Sequence, residues 1–212
     1  MTTDSHPGPD VARFDRWAAT YDRGAGQRFF FRPVYRGVTR LAAELSPTAT
    51  RILDAGCGTG GLLRLLAQRF PDARLTGVDP SVEMIRVATE SNPAPERLDF
   101  VQAQAEMLPF GGGEFDLAMS TISFHHWSDQ RAGLREIARV LAPGGGFVLA
   151  DHFVTSWQRP FFAGRGRRDR FHTPAEIDAM LGEADLTRIA WREAYRIGPL
   201  LIVPAVLARK AG

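Results

Sequence analysis

Two stretches of this 212-residue chain carry residue types from which a ligand site can be built. The first is Asp54-Ala55-Gly56-Cys57-Gly58-Thr59-Gly60-Gly61, with Asp79 further along. Glycines between an apolar segment and a helix permit a tight turn and let backbone N–H groups approach a ligand closely. Gly56, Gly58 and Gly61 fit the G-x-G-x-x-G pattern of nucleotide-binding loops, which is weak taken alone. The carboxylates say more. Asp79 ends a second apolar segment, where it can accept hydrogen bonds from both hydroxyls of a ribose. Asp54 directly precedes the loop, where a pyrophosphate would be repelled. A ligand with an ammonium and a sulfonium would be attracted instead. Both aspartates also fit simple helix caps or strand ends.

The second stretch is Ser123-Phe124-His125-His126-Trp127, which pairs with Asp151-His152-Phe153. In open α/β sheets ligands bind beyond the carboxyl ends of the strands, where both loops are expected. A neutral imidazole there can take a proton from an attacking hydroxyl. His125 is the first candidate for that role and His126 the second, because neighbours in an extended loop face different ways. Asp151 could orient a histidine or bind substrate. Packing and capping account for the same residues equally simply. The spacing of His125, His126, Asp151 and His152 matches no defined metal site, so no metal is expected.

The elements that must position these residues alternate. Residues 11–23 carry Phe14, Trp17 and Tyr21 at helical spacing, and residues 34–45 read as a second amphipathic helix. Arg51 to Ala55, Leu75 to Asp79, Asp99 to Ala103, Phe115 to Thr121 and Phe147 to Ala150 read as strands. Helices are expected over Leu62 to Phe70, from a Ser81 cap through Glu90, and from Ser128 or Asp129 to Leu141. Pro143-Gly144-Gly145-Gly146 would close the last of these. A further helix starts at Thr173-Pro174 and reaches about Ala184. Thr187 to Trp191 and Leu200 to Ala208 read as late strands with no helix between them, which allows antiparallel pairing at one edge. The fold class is α/β: a Rossmann-like parallel sheet with helices on both faces, an antiparallel edge strand and an N-terminal helical cap. Residues 1–10 read as a disordered tail and 11–212 as one domain. That domain comprises a cap (11–46), a cofactor-binding core (51–152) and a lid loop (153–172). Trp157, Phe161 and Phe162 of the lid, with Phe29 to Phe31, suggest a wall for an apolar or aromatic molecule.

The charge argument favours S-adenosylmethionine over a nicotinamide dinucleotide. Ile52 to Leu63 (ILDAGCGTGGLL) and Val78 to Ser81 also resemble the signature of the class I S-adenosylmethionine-dependent methyltransferases. So do Ala105 to Phe110 (AEMLPF), Phe115-Asp116-Leu117 and Leu134 to Gly145 (LREIARVLAPGG). Within that superfamily the chain is similar to small-molecule enzymes related to ubiquinone and menaquinone biosynthesis, over about residues 11–155. The resemblance implies that Asp54, Gly56, Cys57 and Gly58 line the methionine part of the cofactor and that Asp79 binds its ribose. Pro80 and Met84 would pack near adenine. Gln104 stands where the family often has Asp, and its carbonyl can still accept from the adenine amino group. Ala105 would give its backbone N–H to the ring, with Glu106 following. Ser120 would offer backbone to the methionine end, and Tyr21 would close over the cofactor. Cys57 and Met84 also fit as ordinary packing residues.

The implied reaction moves a methyl group from S-adenosylmethionine to O, N or C of a small molecule, leaving S-adenosylhomocysteine. The alternatives are a non-methylating enzyme or scaffold on the same fold, and an NAD-dependent oxidoreductase, against which Asp54 argues. Net charge is +2, with 44% hydrophobic and 24% charged residues, an ordinary globular balance. Only Arg165, Arg167, Arg168 and Arg170 cluster, and no nucleic-acid partner is expected. No apolar run approaches the roughly 18 residues of a membrane span. No secretory leader is read at the N-terminus. The single cysteine excludes an intrachain disulfide, and a reducing, cytoplasmic setting is expected. The aromatic-rich helices could support a homodimer.

Overall fold

The computed structural model describes residues 9–21, 27–153, 171–197 and 201–212. The lid aromatics Trp157, Phe161 and Phe162 and the arginine cluster lie outside the described residues.

Seven strands form one sheet in the order β3-β2-β1-β4-β5-β7-β6. They are β1 (Arg51–Ala55), β2 (Arg74–Asp79), β3 (Leu98–Gln102), β4 (Phe115–Thr121), β5 (Leu141–Ala150), β6 (Leu186–Ile197) and β7 (Leu201–Lys210). The first five run parallel. The strand that reverses is β7, antiparallel to both β5 and β6, and it sits one place inside the edge that β6 forms. The strand order therefore reverses between β1 and β4, where the connections lead toward opposite edges of the sheet and open a crevice.

Strand side chains alternate between two buried layers, as a period of two requires. Ile52, Leu117, Met119, Val148 and Val203 enter one layer, which α2 (Arg32–Leu45) and α3 (Gly61–Arg69) cover. Leu53, Ala118, Phe147, Leu149 and Val206 enter the other, covered by α5 (Gln130–Val140) and α6 (Pro174–Glu183). The remaining helices are α1 (Pro9–Tyr21), packed on α4 (Val82–Glu90). Helix starts follow local chemistry. Ser81 accepts from Met84 N–H, Asp129 accepts from Ala132 N–H, and Thr173 forms a reciprocal capping box with Glu176. Each such cap contributes about 1 kcal/mol.

Some boundaries differ from expectation. α2 is preceded by a π-helical turn, Gln27–Phe31, so helical backbone begins before Val34. α5 does not end on the glycines. It stops at Val140, Leu141 is already extended, and Gly144 to Gly146 lie within β5. The sheet claims them because Gly146 pairs with both Leu117 and Arg209, and a side chain there would strike Leu45 and Ser46. β6 runs six residues beyond Trp191, paired along its length with β7.

Separate sequence motifs turn out to share hydrogen bonds. Asp116 accepts from Thr50 N–H, Arg51 N–H and the Thr50 hydroxyl, fixing the start of β1 beside β4. Glu136 accepts from Leu108 N–H, and Arg139 donates to the carbonyls of Leu108 and Phe110, so α5 holds the loop after β3. Glu106 accepts from Asp129 N–H in the same region.

Candidate functional site

The loop after β1 turns because its glycines adopt backbone that other residues resist. Gly56 has φ +81°, and a Cβ there would lie 1.7 Å from Ser123 Oγ. Gly58 has φ +53°, and a Cβ there would meet nothing within 4 Å, so the Cα side of this turn is open to a ligand. Gly56 N–H and Cys57 N–H both donate to Val78 O, which ties the loop to β2.

The loop forms one wall of a cavity of about 260 Å³ at the carboxyl ends of the strands. Gly56, Cys57 and Gly58 line it, together with Asp79, Pro80 and Met84 from the end of β2 and the start of α4. Gln104, Ala105 and Glu106 close another side, and Tyr21 reaches it from α1. Asp54 and Ser120 are not on the wall. They lie behind it, 1% and 0% exposed.

Asp79 is held in place by its backbone contacts. Its Oδ2 accepts from Gly58 N–H and its Oδ1 from Ser81 N–H, each at 2.9 Å. Burial pushes its carboxyl up to about 6, with the two N–H groups opposing and Asp15 adding to the rise. Each oxygen keeps a lone pair for a further donor. Asp54 has no comparable support. Its Oδ1 has no hydrogen-bond partner among the described residues. Burial, with Asp79 nearby, drives its carboxyl up to about 8. Burial likewise pushes the Cys57 thiol well above its usual value, which suits packing rather than nucleophilic attack. A ligand carrying a diol for the spare lone pairs of Asp79 and positive charge for the unpartnered oxygen of Asp54 fits this arrangement. A phosphate fits neither.

Past β4 the chain turns through Ile122 at φ +52°, unusual for a β-branched residue, with its N–H bonded to Ala150 O. The short 3-10 turn Phe124–His126 follows. His126 lines the cavity; His125 and Asp151 do not. His125 Nδ1 is 2.7 Å from Asp151 Oδ1, and His125 N–H donates to Asp151 Oδ2 at 3.1 Å. His152 N–H donates to the same carboxylate at 2.6 Å. Burial alone would raise Asp151, yet the His125 charge and hydrogen bond and the His152 N–H hold it below the usual carboxylate range. Burial lowers His152, against the pull of Asp151 and with the push of His125. The His125 and His126 rings sit 4.0 Å apart, so the dyad backs the imidazole on the wall. Among the described residues no cluster suited to a metal ion occurs.

Sequence reasoning missed two contributors, Asp15 and Ile122, and gave no role to a third, Ser123, which it had placed in the candidate loop. Asp15 of α1 accepts from the Ser81 hydroxyl at 2.5 Å and from Glu83 N–H at 3.4 Å, which anchors the cap to the α4 N-terminus. Ser123 accepts from Trp127 Nε1–H and donates to Ala55 O, joining the β1 and β4 loops. Ile122 lines the cavity through a backbone conformation that no sequence pattern announces. Asp15 offered a faint cue, a carboxylate one residue after Phe14 in a helix whose other marked residues are aromatic.

Comparison with known proteins agrees with this fold. A family model described as a methyltransferase domain matches residues 53–149. The chain is 32% identical over 191 residues to a ubiquinone/menaquinone biosynthesis C-methyltransferase, UbiE, of Syntrophotalea carbinolica, covering 86% of this chain and 77% of the relative. It is 37% identical over 183 residues to a malonyl-[acyl-carrier protein] O-methyltransferase of Geobacter sulfurreducens, covering 81% and 67%. Among solved structures it shares its fold with the 1,6-didemethyltoxoflavin-N1-methyltransferase of Burkholderia thailandensis, at a TM-score of 0.71 and 21% identity, over 100% of this chain and 94% of that one.

Proposed function

This chain belongs to the class I S-adenosylmethionine-dependent methyltransferases, and on that premise we propose that it methylates a small, largely apolar or aromatic molecule whose reacting atom sits beside His126. S-adenosylmethionine is its cofactor and supplies a methyl group on a positively charged sulfur, open to in-line displacement.

The chain's own residues take the following parts. Asp79 holds the ribose hydroxyls, with Gly58 N–H and Ser81 N–H fixing the carboxylate's orientation. Gly56, Cys57 and Gly58 cradle the methionine end, above the buried Asp54 and Ser120. Pro80 and Met84 pack on adenine, Gln104 and Ala105 meet its edge, and Glu106 ties their loop to α5. Tyr21 closes the site from α1. Aromatic side chains on the cavity wall, Phe14, Phe31, Tyr35 and Trp127, favour an acceptor with an apolar body. Where the acceptor atom carries a proton, His126 takes it during attack, and His125 held by Asp151 keeps His126 in position. Alignment of nucleophile and leaving sulfur supplies the rest of the rate.

One observation carries the reading: a single cavity joins the Asp79–Gly58 cradle to His126. The test begins with calorimetric titration of the full chain with S-adenosylhomocysteine, with NADH as control. Micromolar binding that Asp79→Ala abolishes, and no binding of NADH, is expected. NADH binding would overturn the assignment. Steady release of methylated product then distinguishes transfer from a cofactor-binding scaffold. His126→Ala should keep cofactor affinity and lose roughly a hundredfold or more in turnover. Unchanged turnover would remove His126 from the chemistry.

A further inference from the structure

Asp54 asks for an explanation that lining a cofactor site does not supply. A buried carboxylate is normally stabilised by a cation or by several donors. Asp54 is 1% exposed, and one of its oxygens has no hydrogen-bond partner among the described residues. The charged and titratable groups around it offer little relief. Asp79 at the end of β2 and Cys57 in the loop are both acidic, and Asp15 from α1 adds negative charge next to Asp79. Arg64 of α3 donates to Thr59 O and Ser91 Oγ, and its charge acts on Cys57. Across the sheet the pairing partners of Asp54 are Gly77 and Met119, neither of which titrates. Among the described residues no Lys, Arg or His makes an ion pair with Asp54.

We infer that Asp54 is a charge-reading residue: it carries a proton in the free protein and releases it to water when positive charge enters the loop, so that the site distinguishes the methyl donor from its demethylated product. The inference rests on the cofactor reading above and extends it to selectivity. The balance is simple. In the free protein a neutral Asp54 avoids placing two carboxylates in one buried pocket. Entry of a ligand with a sulfonium and an ammonium lets Asp54 ionise, and its O–H proton leaves to solvent. After transfer the sulfur is neutral, the compensation weakens and Asp54 takes a proton back. Product binding is thereby weakened relative to donor binding at the moment exchange is needed. Proton count and charge preference are one property of one side chain.

The rise of the Asp54 carboxyl, to about 8, sets the sign of the effect. Apparent affinity falls with the fraction of protein in the competent, ionised form. On that basis donor affinity should tighten about twentyfold from pH 6 to pH 7.5, with a smaller change for the product. Asp79, at about 6, is already mostly ionised at neutral pH and contributes little over the upper part of that range.

The experiment is calorimetric titration of the full chain with S-adenosylmethionine and, separately, with S-adenosylhomocysteine. Each is run at pH 7 in buffers of different ionisation enthalpy, so that the slope counts protons released. Release of most of one proton with the methyl donor and distinctly less with the product is expected, with the affinity ratio of the two rising with pH. Asp54→Asn should abolish the difference while the ligand's own ammonium titrates as before. Equal proton counts for the two ligands would overturn the inference, as would a count unchanged in Asp54→Asn of intact melting behaviour. The wild-type comparison needs no variant and decides the matter if Asp54→Asn does not fold. Failure of both ligands to bind would sink the cofactor reading instead, and with it this extension.

Discussion

Asp54 near the end of β1 and Asp151 just after β5 are each 1% exposed, yet they are driven in opposite directions. Asp54 rises to about 8 under burial and the neighbouring Asp79. Asp151 suffers the same burial and stays below the ordinary range, because His125 Nδ1, His125 N–H and His152 N–H all converge on it. Burial sets how much is at stake for a carboxylate, and the surrounding donors set the sign. The division has a functional meaning. Asp151 is complete within the protein and holds the β4 and β5 loops together. Asp54 keeps an oxygen with no hydrogen-bond partner among the described residues, which is the observation behind the inference above.

Removing Asp151 should therefore have the largest effect. Asp151→Ala leaves the buried His125 donors and the part-buried His152 N–H facing an apolar gap, and breaking such a buried pair costs roughly 3–5 kcal/mol. Urea denaturation at pH 7 measures it; a loss below about 1 kcal/mol would show that the convergence of donors has little energetic weight. The pH dependence has a definite sign. A carboxyl held low contributes stability above its ordinary value, 3.8, and that contribution is lost as pH falls further.

The reverse holds for Asp54. A carboxyl raised to about 8 favours the fold at low pH, and that contribution drains away as pH rises from about 3.8 through about 8. Asp54→Asn should consequently make the ligand-free protein more stable than wild type at pH 8.5, by roughly 1–3 kcal/mol. The gap should narrow as pH falls toward 4. Thermal melts across that range test it, and an Asn variant less stable at every pH would break the contrast between the two aspartates.

The two halves also differed in how readable they were. Asp54, the glycine loop and Asp79 lie at the ends of short apolar segments, so local pattern located them and the parallel strands around them. His126 facing the cavity while His125 turns to Asp151 could not be read the same way. The choice depends on a left-handed Ile122 and on a carboxylate 26 residues away in sequence, meeting only when β4 and β5 pair. The glycines after α5 misled for a related reason. Pro-Gly-Gly-Gly has the composition of a helix stop, but its place is decided by β4 on one side and β7 on the other. Asp15 was missed because its role is to cap a helix more than sixty residues distant, through Ser81. Local chemistry and the parallel and antiparallel character of the sheet showed in the sequence; the particular side-chain contacts that strand pairing creates did not.

A third carboxylate separates the influence of donors from that of burial. Glu136 is well supplied with partners, accepting from Leu108 N–H at 2.9 Å and from the Arg139 guanidinium. Its carboxyl is lowered, first by the Arg139 hydrogen bond and then by the Leu108 N–H against a modest burial penalty. It resembles Asp151 in its donors but not in its surroundings, since its side chain is 21% exposed and that of Arg139 40%. Water and salt screen such a pair, so Glu136→Gln should cost only about 0.5–1 kcal/mol. Added salt distinguishes the two cases. At 1 M sodium chloride the Glu136→Gln effect should shrink toward nothing, while the Asp151→Ala loss persists because ions do not reach it. A Glu136 effect as large and as salt-resistant as that of Asp151 would mean that donor number alone governs these carboxylates, and burial would lose its place in the argument.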